Sequence, residues 1–123
     1  TRFVHVSHGA RVVELREEDV VVDGVEVPLS PGMRAVVGFL VDRHLEDVRD
    51  GKAPEDFCAF TLAEMAEELG MVRTTVQKQL WRFRQRLEER YRVRAGRPLG
   101  EGAVLEAVED GWRFGARCLV RVR

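Results

Sequence analysis

Long apolar runs are missing from this chain of 123 residues, so no segment supplies the roughly 20 residues that a membrane-spanning helix needs. An excess of one charge is missing too. Lys and Arg number 20 against 21 Asp and Glu, for a net charge of −1, which excludes the global basicity of many nucleic-acid binders and requires any binding field to be local. Cysteine is scarce: Cys58 and Cys118 lie far apart without CxxC spacing, so neither a zinc motif nor a disulfide framework is indicated, and a reducing cytoplasm is the expected compartment. No Ser/His/Asp or Cys/His catalytic motif occurs, and no glycine-rich phosphate loop follows a strand; the expectation is a protein that is not an enzyme and needs no cofactor. His5 and His8 have no further ligands within reach and read as surface or hydrogen-bonded histidines. No signal-peptide pattern opens the chain, and Thr1 in place of Met suggests excision from something longer.

What is present is a 45% hydrophobic chain, enough for one domain over residues 1–123 with a real core. Its most informative stretch is Arg73 to Tyr91. Val76, Leu80, Phe83, Leu87 and Tyr91 recur at helical spacing and gather into one apolar stripe. The opposite face carries Thr74, Lys78, Trp81, Arg82 and Gln85, all hydrogen-bond donors, with the acids Glu88 and Glu89 held to the last turns. Arg73 to Arg97 holds nine Arg or Lys against those two acids. A donor-rich outer face over three turns is what major-groove reading requires, because base edges offer acceptors there and phosphates flank the groove. A solvated surface helix accounts for the same pattern, since basic helix faces are common.

The chain before it predicts strands and two helices. Phe3 to Val6, Arg11 to Leu15, Val20 to Val22 and Val25 to Val27 are short Val-rich runs, and Asp23-Gly24 is a type I′ hairpin signal. Ser30-Pro31 opens a helix to about Asp47, with Val36, Val37, Leu40, Val41, His44 and Leu45 on its core face. Asp47 to Ala59 sustains no period and reads as a surface loop. Thr61 to Glu64 is a capping box that starts a short helix, whose apolar side is Leu62, Met65, Ala66 and Leu69 and whose end is Gly70. Ala103 to Val108 and Trp112 to Phe114 form a predicted hairpin about Glu109-Asp110-Gly111, with Trp112 as a packing aromatic; Arg117 to Arg123 extends the sheet, follows it or frays.

Strands, a helix, a loop, a capped helix, a basic helix and a terminal hairpin resemble the winged helix-turn-helix effector domain of OmpR/PhoB-type response regulators. Thr75 to Glu88, TVQKQLWRFRQRLE, is similar to that family's recognition-helix pattern, with Phe83 in place of a leucine. Val25 to Ser30 resembles its entry to the first helix, and Ala107 to Phe114 its wing. The resemblance implies an α+β fold with a three-helix core, an N-terminal antiparallel sheet (1–29), helices over 30–91, and a C-terminal wing and strand (92–123). It implies a sequence-specific, bacterial-type transcription regulator that binds double-stranded DNA. Further partners implied are RNA polymerase or an upstream signalling domain, with a homodimer as one assembly and no membrane.

On this view the DNA-binding set is Arg73, Thr74, Lys78, Trp81, Arg82, Arg84 and Gln85 on the helix, Arg94 and Arg97 beyond it, and Arg113 in the hairpin. Arg82 and Arg84 match the two arginines of the family motif, Arg84 nearer the apolar side as a packing or flanking-phosphate residue. The departures are Glu109 and Asp110 at the hairpin turn, where the family has an arginine and a glycine, and a short link from Gly70 to Arg73 where the family touches polymerase. A receiver domain and a phospho-acceptor motif are not present in the chain. The rival reading is a winged-helix protein-interaction module that docks through Trp81 without DNA.

Overall fold

Asp23 and Gly24 both hold positive φ, 50° and 85°, the requirement of a type I′ turn, and fold β2 (Asp19–Val22) against β3 (Val25–Pro28) with Val22 opposite Val25. The computed structural model describes residues 11–100, 102–109 and 111–123. The strand expected at Phe3 to Val6, with His5 and His8, and the turn residue Asp110 lie outside the described residues.

The sheet is completed by β1 (Val12–Leu15), antiparallel to β2, and by a strand from the far end of the chain, β6 (Leu119–Val122), parallel to β1 with Val13 beside Val120. Its order is β3-β2-β1-β6. The last segment is therefore neither frayed nor part of the hairpin. Alternation puts Val13, Leu15, Val20, Val22, Val25 and Val27 on the buried face. On the other face Glu14 accepts hydrogen bonds from Arg121, Arg16 and Arg123, which hold its carboxyl down at about 2.

Helix α1 (Pro31–Arg49) begins where expected, with Ser30 accepting from the Met33 N–H, and buries Met33, Val36, Val37, Leu40 and Val41 in the same core as the valines of the sheet. Thr61 and Glu64 form the reciprocal capping box of α2 (Leu62–Leu69), and Gly70 ends it in the left-handed region at φ 64°. After Met71 and Val72, α3 (Arg73–Ala95) starts, and its five stripe residues, from Val76 to Tyr91, are all buried. The helix runs a full turn beyond the expected Tyr91 and stops at Gly96, φ 73°. Tyr91 itself is fixed by Arg11, which donates to the Tyr91 hydroxyl and the Leu99 carbonyl while pairing with Asp23.

The segment expected to be a surface loop contains a 3-10 turn, Pro54–Asp56, and is anchored by Phe57, which is buried. Asp47, only 4% exposed, explains the anchoring: it accepts from the Cys58 N–H and pairs with Lys52 at 2.9 Å. Local periodicity could not reveal an order that depends on one long-range carboxylate. The hairpin of β4 (Leu105–Val108) and β5 (Gly111–Phe114) forms a second, two-stranded sheet. Trp112 in β5 exchanges backbone hydrogen bonds with Phe60, the residue before the α2 cap, and packs on the core. Gly111 permits this close approach, since a Cβ there would strike the Phe60 carbonyl. The fold is thus α+β, with three α-helices and two sheets among the described residues.

Candidate nucleic-acid interface

Helix α3 is held rigidly from below. Its stripe packs on β3 and on Met33, Met65 and Ala66 of the shared core, and the Arg86 guanidinium donates to the Pro28 carbonyl at 3.0 Å. Burial of one face fixes which residues project from the other. Thr74, Lys78, Trp81, Arg82 and Gln85 are all exposed, Trp81 by 61%. They form one row over the first three turns, with Lys78 and Gln85 near its centre and Trp81 and Arg82 diverging by about 100° to its two sides.

Between Arg73 and Arg94 the helix carries eight basic residues. Among the described residues, none of them enters an ion pair; the pairs present involve Arg11, Arg16, Arg43, Lys52, Arg113, Arg121 and Arg123. Near-zero net charge thus coexists with a helix whose cations outnumber its two acids, Glu88 and Glu89, and make no ion pair with any described acid. Its N-terminus adds to the field. Ser30 and Thr61 cap α1 and α2 with side chains, but α3 has Val72 at its cap and no side-chain acceptor, leaving N–H groups to water or to an anion.

Not every residue expected at the interface belongs to that row. Arg84 swings to the hairpin and places its guanidinium 5.5 Å from the Trp112 ring centroid, so it packs rather than reads. Arg113 is a correction: its side chain is only 14% exposed, pairs with Glu106 at 2.8 Å and donates to the Phe57 carbonyl. It ties the hairpin to the 54–57 segment and is not presented to a partner. Arg94 lies inside α3 rather than beyond it, seven residues after Leu87 and so on the side of the buried stripe. Arg97 follows the Gly96 cap and is exposed. Arg73 lies in the cleft between the α2 N-terminus and the hairpin, beside Glu64 and Glu109.

One residue escaped the sequence reading. Arg92 is exposed seven residues after Gln85, in a shallow depression with Trp81, Arg82 and Glu89. Its helical spacing would have revealed it had the helix been drawn past Tyr91.

The remaining clusters offer little chemistry. His44 is 3% exposed and edge-on to Phe57; burial pushes its pKa down, outweighing the opposing pull of the Cys118 backbone and Asp47. Burial pushes the Cys118 thiol up to about 12, which keeps it protonated and unreactive. No group of three or more His, Cys, Asp or Glu among the described residues is placed to hold a metal ion, and no helix among them is long and apolar enough to cross a membrane. No protein-family model matches the chain, and neither a curated protein nor a solved structure matches it.

Proposed function

We propose that this chain is a sequence-specific DNA-binding domain of a transcription regulator, a winged helix-turn-helix in which α2 and α3 form the helix pair and α3 enters the major groove. The observation that carries this reading is the outer face of α3: a helix with one buried stripe, an opposite row of donors, and no ion-pair partner for its cations among the described residues. A major groove about 12 Å wide admits such a helix, Arg pairs bidentately with guanine, and Gln with adenine. The Phe60–Trp112 bridge, which docks the β4–β5 hairpin beside the start of α2, supports the winged arrangement.

The hairpin is a poor phosphate contact. Glu109 is exposed at its turn and repels the backbone, so binding rests on α3 and Arg97 rather than on a wing inserted in the minor groove. Two exposed large apolar side chains on this helix, Val72 at its cap, at 68%, and Trp81, at 61%, favour the second reading, a protein-interaction module. Selection of duplexes from a random library by the purified chain separates the two. Enrichment of one sequence family, lost in Arg82→Ala, is the expected result. Recovery of no preferred sequence would remove the DNA reading.

A further inference from the structure

Among the side chains of the outer row on α3, Trp81 is the anomaly. Thr74, Lys78, Arg82 and Gln85 suit polar base edges or phosphates, whereas Trp81 presents a large apolar surface, 61% exposed, between them. It is not filling a gap in this molecule: it is not part of the hydrophobic core or of the partly buried residues packed on it. Its neighbours one turn away, Lys78 and Gln85, restrict what can lie against it, because a partner surface there must also satisfy their donors. The major-groove floor combines the two. It offers acceptors throughout and only one apolar projection, the C5-methyl group of thymine.

We infer that Trp81 is a specificity-determining residue that packs on the C5-methyl of a thymine, on the opposite side of the row from the base pair that Arg82 addresses. This rests on the DNA-binding reading above and deepens it. Lys78 and Gln85 sit near the centre of the row and Trp81 and Arg82 diverge from it, so the two side chains address different base positions. Gln85, which suits adenine, stands one turn from Trp81, so a single A·T pair or two adjacent ones can satisfy both.

Uracil tests this, because it lacks only the methyl group and keeps the hydrogen-bonding edge of thymine. In the duplex most enriched by selection, each thymine is replaced in turn by deoxyuridine, and affinity is measured for the parent chain, Trp81→Ala and Trp81→Phe. Burying one methyl is worth about fourfold in affinity. The expected result is a loss of about that size at one or two positions with the parent, none with Trp81→Ala, and an intermediate loss with Trp81→Phe. Trp81 is exposed, so both variants should keep the parent's circular dichroism spectrum.

Three outcomes would overturn the inference. If uracil costs nothing anywhere while binding stays selective and dependent on Arg82, the thymine contact is wrong and the DNA reading stands. A uracil penalty that persists in Trp81→Ala would assign the methyl contact to another residue. Failure to select any duplex would remove the underlying reading as well, and would leave Trp81 facing a protein.

Discussion

The guanidinium carbon of Arg84 lies 5.5 Å from the ring centroid of Trp112. This contact joins the middle of α3 to the hairpin, while the Trp112 backbone is bonded to Phe60 just before α2. One aromatic residue thereby sets the hairpin against both helices of the pair.

A double-mutant cycle on Arg84→Ala and Trp112→Ala should therefore give a coupling of about 0.5–1 kcal/mol in urea unfolding, the range for partly exposed cation–π pairs. Arg84→Ala alone should leave base discrimination unchanged. A change in sequence preference in that variant would show that Arg84 reads bases after all.

Buried His44 makes stability depend on pH. Its folded-state pKa is depressed below 6.5 by burial, so the unfolded chain takes up the proton first as pH falls. Stability should be level above about pH 7 and decline below about 6.5, the ordinary histidine value. In His44→Leu that decline should be reduced between about pH 6.5 and 5, where carboxylates contribute little. Equal slopes in the two proteins would mean that burial does not depress the His44 pKa in the fold.

The fold was largely legible where local chemistry decides it. Asp23-Gly24, Ser30-Pro31, the Thr61/Glu64 box, Gly70 and the five-residue stripe of α3 each specify their element by backbone or side-chain geometry within a few residues. What was not legible depends on distant partners. The docking of β6 on β1 follows from burying Val120 and from the Glu14–Arg121 pair, and the order of 54–57 follows from Asp47. The outer row of α3 could be read from helical spacing alone. The contact of Arg84 with Trp112 could not, because it joins α3 to the hairpin across 28 residues of sequence, whereas Arg113 faces Glu106 directly across the predicted hairpin.

Salt dependence addresses the cationic helix as a whole. Each phosphate neutralised by Lys or Arg releases condensed counterions, with a slope of about −0.9 per contact. Arg73, Lys78, Arg82, Arg92 and Arg97 are exposed and have no ion-pair partner among the described residues, which supports roughly four to six contacts and a log–log slope of roughly −4 to −5. A titration with a slope near zero would take α3 off the phosphate backbone.

The remaining prediction separates reading from attraction, using one arginine in the row and one outside it. Arg82 projects from the third turn of α3 beside Lys78 and Gln85, where a bidentate contact to guanine is accessible. Arg82→Ala should cost about 1–3 kcal/mol on the preferred duplex and flatten discrimination at one or two base positions. Arg97, past the Gly96 cap, has no helix to aim it at a base edge and can act only as a charge. Arg97→Ala should weaken preferred and random duplexes about equally and reduce the magnitude of the salt slope by about one unit. Both residues are exposed, without ion pairs among the described residues, so neither substitution should disturb folding. Measured on matched specific and random duplexes at one salt concentration, the two variants should differ in kind. If both bind every duplex as the parent does, α3 is not the reading element, and the exposed Trp81 belongs to a protein partner instead.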